Sequence, residues 1–110
     1  MNPEIRELFE DVLSNANTIQ EFVKEHDFES YRRDTKTRLA VERSFEIIGE
    51  ALNRIKKIDE GILDSIRDYR SIISFRNILA HGYDHIEDRI VWGIIESDLI
   101  TLSEDIRRLQ

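Results

Sequence analysis

The sequence predicts an all-α fold, a helical bundle of four long helices plus one or two short ones. Apolar residues recur at three- and four-residue spacing, and no segment alternates apolar and polar residues as a strand does. One Pro and four Gly leave few positions for turns, which favours long helices. With 110 residues, 40% of them hydrophobic, we expect one domain that spans residues 1–110.

The first helix is predicted to begin at Pro3, with Asn2 as its cap, and to run to about Lys24. Its core face is an apolar stripe at helical spacing: Ile5, Leu8, Phe9, Val12, Leu13, Ala16, Ile19 and Val23. The polar residues 25–35 interrupt this period and predict a connection with about one helical turn. Asp34 or Thr35 is the expected cap of the second helix.

The second helix has a wide apolar surface, which predicts a central helix with neighbours on two sides. The surface comprises Leu39, Ala40, Phe45, Ile47, Ile48, Ala51, Leu52 and Ile55. A turn is predicted over residues 59–61, followed by a shorter helix that starts at Ile62. A further helix is predicted from about Tyr69 to His81-Gly82, because a Gly after the last periodic residue commonly ends a helix.

The last helix is predicted to begin at about Glu87. Its expected core face contains Ile90, Val91, Ile94, Ile95, Leu99, Leu102, Ile106 and Leu109.

Composition excludes several classes of function. The chain has no Cys, so it has no disulfide, zinc–thiolate site or thiol nucleophile. No apolar run approaches the ~20 residues that span a bilayer, and the N-terminus does not resemble a signal peptide, so we expect a cytoplasmic protein with no membrane partner. The net charge of −7 argues against a general electrostatic attraction to nucleic acid, but not against a local basic cleft.

The segment from Arg76 to Tyr83, R-N-I-L-A-H-G-Y, is the strongest candidate for chemistry. Arg76 and His81 are five residues apart, which on a straight helix separates their side chains by ~140°. They therefore need the helix to end near Gly82 if they are to act on one substrate. An Arg side chain matches phosphate oxygens, and His transfers protons near neutral pH, so the pair suits phosphodiester chemistry.

Asn77 is a candidate for positioning the phosphate or a ribose hydroxyl, and Tyr83 is expected at the mouth of the same site. The residue spacing alone leaves a structural alternative open. An Arg on a helix is commonly solvated or ion-paired, and a His near a helix end commonly interacts with the helix terminus.

The octet resembles the signature of the HepT-like branch of the HEPN (higher eukaryote and prokaryote nucleotide-binding) superfamily, in which Arg, four residues, His, any residue and Tyr follow one another. Two further blocks resemble the same family: R-S-F-E-I-I-G-E-A from Arg43 to Ala51, and Ile90-Val91-Trp92 with Asp98-Leu99. The resemblance covers roughly residues 34–109, and the first helix matches only in type.

This resemblance implies a HEPN-like helical bundle that forms a homodimer and acts as a metal-independent endoribonuclease on RNA, with no cofactor. Arg76 would stabilise charge on the scissile phosphate, His81 would act as general acid and base, and the ribose 2′-hydroxyl would be the nucleophile. The resemblance also implies a toxin of a type VII toxin–antitoxin system, partnered by an MntA-type nucleotidyltransferase antitoxin. Tyr83 matches the position to which that partner adds AMP.

Five basic residues are expected near the cleft: Arg32, Arg33, Lys36, Arg38 and Arg43. Arg38 and Arg43 are the candidates for RNA binding, whereas Arg32 and Lys36 are equally well explained as a solvated face. The wide apolar face of the second helix favours a homodimer, and a second copy of the octet would add positive charge to a shared cleft.

One pair of histidines and one pair of glutamates have the spacing of metal ligands on a helix. His81 and His85 are four residues apart, but Gly82 separates them, so we expect no metal site. Glu46 and Glu50 are expected to form ion pairs with Arg43 and Arg54.

Trp92 and Phe75 are expected in the core or at a dimer contact rather than as a stacking platform for bases. Two function classes remain, an endoribonuclease toxin and a non-catalytic HEPN module that binds nucleotide or a nucleotidyltransferase.

Overall fold

The structure, a computed structural model, describes residues 2–80 and 88–110, and for residues 76–80 it describes the backbone alone. Within these ranges every regular element is a helix, so the predicted all-α class is confirmed. The elements are α1 (Pro3–Val23), α2 (Phe28–Arg33), α3 (Thr35–Ile58), a 3-10 helix (Glu60–Ser65), α4 (Tyr69–Ala80), α5 (Asp88–Gly93), a π-helical turn (Ile94–Asp98) and α6 (Leu99–Leu109).

α1 begins and ends close to where the sequence predicts. The Asn2 side chain accepts hydrogen bonds from the backbone N–H groups of Glu4 and Ile5, and Pro3 occupies the first turn. Both features satisfy or remove backbone donors that the first turn leaves unpaired. The predicted apolar stripe is buried except for Leu13, which is half-buried.

The connection between α1 and α3 contains a six-residue helix, α2, where one turn was predicted. Its start is a capping box: the Asp27 carboxylate accepts from the Ser30 N–H, and the Ser30 hydroxyl accepts from the Asp27 N–H. Asp34 caps α3 by accepting from the Thr37 N–H at 3.0 Å, which confirms one of the two predicted caps.

α3 is the central helix of the bundle, as predicted, and packs against both α1 and α4. Phe45 on α3 meets Phe75 on α4 edge to face, with the ring centroids 5.4 Å apart. The prediction for the start of its apolar surface was wrong, because Leu39 is 61% exposed. Leu39 belongs to the first turns of α3, before the buried stripe begins at Val41.

The predicted turn over residues 59–61 and the predicted short helix from Ile62 are one element, the 3-10 helix Glu60–Ser65. Leu63 and Ile66 are buried and hold this region on the core. Asp68 has a positive φ of 58° just before α4, where its carbonyl accepts from the Ser71 N–H.

The C-terminal helical run differs from the prediction of one regular α-helix. A π-helical turn separates α5 from α6, and the Leu99 N–H donates to the Ile94 carbonyl five residues earlier. The buried residues Val91, Ile95 and Leu99 are spaced by four and four, which on a regular α-helix would rotate the buried face by ~80°. The wider turn accommodates this spacing. Ile90, predicted on the core face, is instead 56% exposed.

An ion pair joins the end of the 3-10 region to α6. The Asp105 side chain is only 1% exposed and accepts from the Arg67 backbone N–H and guanidinium, and from Arg108. These hydrogen bonds hold the pKa of the Asp105 carboxyl below its ordinary value, against the opposing effect of burial. The loop ahead of α4 is therefore fastened to α6 by charge as well as by packing.

Candidate active site

α4 carries the first part of the predicted site on a well-packed helix. One face of α4 is buried and includes Tyr69, Ile72 and Phe75. These contacts define how α4 packs on the core as far as Phe75, the residue before Arg76. The backbone positions of Arg76 and Asn77 lie in the C-terminal half of α4, whose helix is described as far as Ala80. A helix packed in this way can hold a side chain in place for catalysis.

The second part of the predicted site lies outside the described residues. This applies to His81 and Tyr83, to Gly82 as the predicted helix stop, and to His85 of the rejected metal pair. The convergence of Arg76 with His81 therefore stays a prediction. Within residues 2–80 and 88–110, no group of three His, Asp or Glu side chains has a metal-binding arrangement.

Arg38, a predicted RNA contact, lies in a partly buried polar cluster between α3 and α5. Its Nη1 is 3.8 Å from Asp88 Oδ1, and its Nη2 donates to the Thr35 hydroxyl at 3.0 Å. Arg38 Nε is buried and has no hydrogen-bond partner within the described part of the chain. Arg38 is thus committed largely to contacts within the protein.

Glu42 contributes a second carboxylate to this cluster, one turn along α3 from Arg38. Burial raises the pKa of the Glu42 carboxyl above its ordinary value. The positive charge of Arg38 lowers this pKa, and the negative charge of Asp88 raises it. Arg38 is therefore the cation that offsets two nearby carboxylates.

The aromatic side of this junction is formed by α2 and α5. The Tyr31 ring lies 5.1 Å from the Trp92 ring, and the Arg89 guanidinium lies over the Phe28 ring at 4.4 Å. Tyr31 is fully buried, and burial raises the pKa of its hydroxyl, which stays protonated at neutral pH. Trp92 packs against the core, as predicted, and within the described structure it is half-buried rather than a free stacking platform.

Arg43, the other predicted RNA contact, is accessible. Its side chain is 70% exposed and pairs with Glu46 at 3.2 Å, as the sequence predicts. It lines a groove of about 410 Å³ between α1 and α3, where three carboxylates (Asp11, Glu46, Glu50) accompany the guanidinium groups of Arg43 and Arg54. This mixed charge gives the groove no strong attraction for a polyanion.

Three other basic residues have acidic neighbours. Arg32 is 3.0 Å and Arg33 3.9 Å from Glu29 within the same short helix. Arg54 pairs with Glu4 of α1 at 3.8 Å. Such exposed pairs weaken the positive potential available to RNA.

Neither the Arg38–Asp88 pair nor the Asp105 cluster was predicted from the sequence. Asp105 had a visible signal, because it is an acid directly beside the apolar stripe of Leu102 and Ile106. The Arg38–Asp88 pair had none, since its members are far apart in sequence and both are ordinary surface residue types.

Comparisons with known proteins agree on one family. The family model described as Ribonuclease HepT-like matches residues 12–109. A protein of Thermococcus cleftensis named "Probable ribonuclease HepT" is 30% identical over 105 residues, which cover 96% of this chain and 94% of that protein. A Methanocaldococcus jannaschii protein named "Putative RNase" is 28% identical over 103 residues, with 94% of each chain covered. No solved structure matches the chain.

Proposed function

The chain belongs to the HepT-like ribonuclease family, and on this premise we propose that it is a metal-independent endoribonuclease acting through Arg76 and His81. The observation that carries the proposal is the family match over residues 12–109, which includes the whole octet R-N-I-L-A-H-G-Y. An Arg and a His supply the two functions that RNA cleavage needs without a metal, charge stabilisation and proton transfer.

The proposed reaction is an internal transesterification of RNA. His81 removes the proton of the ribose 2′-hydroxyl, whose oxygen attacks the adjacent phosphorus. The P–O5′ bond breaks, the leaving 5′-oxygen takes up a proton from the protonated His81, and a 2′,3′-cyclic phosphate remains. Arg76 stabilises the negative charge that accumulates on the phosphate oxygens, and Asn77 positions the phosphate or ribose.

The packing of α4 supports this assignment. Phe75, which precedes Arg76, is buried against Phe45 of the central helix, so the backbone that carries Arg76 has a defined position. Precise positioning matters because a displacement of ~1 Å can cost about 100-fold in rate.

The proposal is tested by incubating the purified chain with RNA in excess EDTA. We expect cleavage that leaves a 2′,3′-cyclic phosphate. A matched RNA with a 2′-deoxyribose at the mapped cleavage position should be intact at that position, because the nucleophile is missing. Cleavage of both substrates at that position, or of neither, contradicts the proposed chemistry.

A second candidate is a non-catalytic module that binds nucleotide or a nucleotidyltransferase. The net charge of −7 and the mixed charge of the α1–α3 groove favour it, because both weaken attraction for RNA. Nucleotide binding without RNA cleavage in EDTA is the outcome that selects this alternative.

We propose further that the chain is the toxin of a type VII toxin–antitoxin pair, controlled by AMP transfer from an MntA-type nucleotidyltransferase to Tyr83. A bulky anionic group at the mouth of an RNA site blocks substrate by its size and its charge. With this partner and ATP, wild-type protein should gain the mass of AMP and lose RNA cleavage. Tyr83→Phe should gain none, and an equal gain on this variant contradicts the assignment.

We propose that the chain forms a homodimer and that it is located in the cytoplasm. Leu39 on α3 and Ile90 on α5 are large exposed apolar side chains, and each is within two residues of one member of the Arg38–Asp88 pair, which joins the two helices. Packing these two side chains against a second copy of the chain would remove apolar surface from water. Sedimentation should show a dimer that Leu39→Glu weakens, whereas a monomeric wild type contradicts the assembly. No helix in the described ranges is long and apolar enough to cross a membrane.

A further inference from the structure

We propose that Arg38 and Asp88 form a positioning pair that anchors the start of α5, and so sets one end of the segment that carries His81 and Tyr83. This inference rests on the proposed ribonuclease function for its effect on activity, but not for its effect on structure. It assigns Arg38 a role other than direct RNA binding.

The geometry places this pair at the start of α5. Asp88 is the first residue of α5, and Arg38 lies one turn into α3, the helix that also packs against α4. Their charged atoms are 3.8 Å apart, and the two side chains are 27% and 25% exposed, so water screens the pair less than it screens an exposed pair.

Arg38 is held in place from its own helix. Nη2 donates to the Thr35 hydroxyl, which leaves Nη1 directed at Asp88, and Nε is buried. A guanidinium that is fixed in this way presents a pre-oriented charge to its partner. These contacts leave less of the side chain available for a phosphate than the exposed Arg43 has.

Arg38 also affects a second carboxylate, that of Glu42. Glu42 and Asp88 are both negative and close enough to raise the pKa of Glu42, and Arg38 offsets that repulsion. Removing Arg38 would therefore leave both carboxylates without this nearby cation, whereas removing Asp88 also removes its repulsion of Glu42. The effects of the two substitutions should consequently differ in size.

Arg38 and Asp88 can affect the reaction because Asp88 is covalently connected to the segment that contains His81. Residues 81–87 connect α4 to Asp88, and α4 is fixed at the other end by its buried face. Asp88 is thus the point at which this segment joins α5. A pair that holds Asp88 on α3 should affect the alignment of a catalytic group in this segment more than substrate affinity.

The structural test is hydrogen exchange, which does not depend on activity. In Arg38→Gln, amides of α5 should exchange about fivefold faster than in the wild type, and Asp88→Asn should show a smaller increase. In the double variant Arg38→Gln/Asp88→Asn the increase should be smaller than in Arg38→Gln alone. Arg54→Gln is the matched control, because Arg54 is on the same helix and forms an ion pair of the same 3.8 Å length, but with Glu4 of α1. It should leave α5 exchange unchanged.

The functional test separates positioning from RNA binding. We expect Arg38→Gln to lower kcat for RNA about tenfold with little change in KM, and Arg38→Lys, which keeps the charge, to recover part of it. Arg54→Gln should match the wild type. A raised KM with unchanged kcat would assign Arg38 to RNA binding and overturn the inference.

The two proposals fail in different ways. If the wild type cleaves no RNA, the proposed function fails, and α5 exchange alone decides the positioning pair. If the wild type cleaves RNA but Arg38→Gln leaves α5 exchange unchanged, the positioning pair is refuted and the proposed function stands.

Discussion

Replacing Asp105 with Asn tests the ion pair that fastens the loop before α4 to α6. Asp105 is buried and accepts four hydrogen bonds: the Arg67 N–H at 2.9 Å, Arg67 Nε at 3.2 Å, Arg67 Nη2 at 2.9 Å and Arg108 Nη1 at 3.2 Å. Asn keeps the shape of Asp, but it removes the charge and turns an NH₂ group toward donors. The chain would then hold a guanidinium opposite a group that cannot accept both of its bonds.

The magnitude follows from how exposed the two partners are. A hydrogen bond to a charged group contributes about 1.5–3 kcal/mol, and breaking a fully buried ion pair costs about 3–5 kcal/mol. Arg67 is 56% exposed and Arg108 70%, so water can solvate both cations after the substitution. We therefore expect Asp105→Asn to lower the free energy of unfolding by about 2–3 kcal/mol at neutral pH.

The pH dependence has a definite sign. The folded state lowers the pKa of Asp105, so its contribution to stability is complete above the pKa of an unfolded aspartate. This contribution is lost as the pH falls from that value through the lower folded pKa. The stability difference between wild type and Asp105→Asn should narrow over the same interval.

Urea unfolding followed by circular dichroism measures both effects. Glu104→Gln is the matched control, because Glu104 is the neighbour of Asp105, is half-exposed and lies 3.9 Å from the same Arg67. It should change stability by less than about 0.5 kcal/mol. If Asp105→Asn is as stable as Glu104→Gln, or if its loss of stability does not narrow in acid, the Asp105 ion pair does not stabilise the fold.

Three further predictions concern stability and are measured by the same unfolding experiment. Asn2→Ala should destabilise by about 1 kcal/mol, because the first turn of α1 loses the side-chain acceptor of two N–H groups; no loss refutes the cap. Phe75→Ala should cost about 3 kcal/mol or more through the cavity it leaves beside Phe45, and a loss below about 1 kcal/mol contradicts tight α3–α4 packing. Tyr31→Phe should be neutral or stabilising by up to about 1 kcal/mol, since its buried hydroxyl has no partner among the described residues, and a clear loss contradicts this.

The fold class and the long helices followed from periodicity and capping residues. Asn2 and Asp34 satisfy local donors, and the apolar stripes of α1 and α3 are long enough for the helical period to be unambiguous. These are local properties, so they could be predicted without any knowledge of tertiary contacts.

The features that were missed depend on tertiary contacts or on irregular geometry. The π-helical turn was missed because Val91, Ile95 and Leu99, which were predicted on the core face, have a four-residue spacing that also fits the apolar stripe of a regular α-helix. Ile90 and Leu39 have the residue type and approximate spacing of core positions, yet the packing of α5 and α3 leaves them exposed. Periodicity alone does not show which residues of this type a neighbouring helix covers.

The sequence predicts which residues form the candidate site, but it predicts only part of how they are arranged in space. The structure agrees with a helix that carries Arg76 and Asn77, and with the Arg43–Glu46 pair. It gives Arg38 partners within the protein that spacing could not reveal, because Asp88 lies 50 residues further along the chain. The meeting of Arg76 with His81 depends on residues outside the described ranges.

The proposed role of His81 is proton transfer in a metal-independent cleavage of RNA. The most direct test is the single-turnover rate at which wild type and His81→Ala cleave the same RNA in EDTA, with both proteins shown to unfold at the same urea concentration. We expect a rate at least about 100-fold lower for His81→Ala. Equal rates for the two proteins would contradict it.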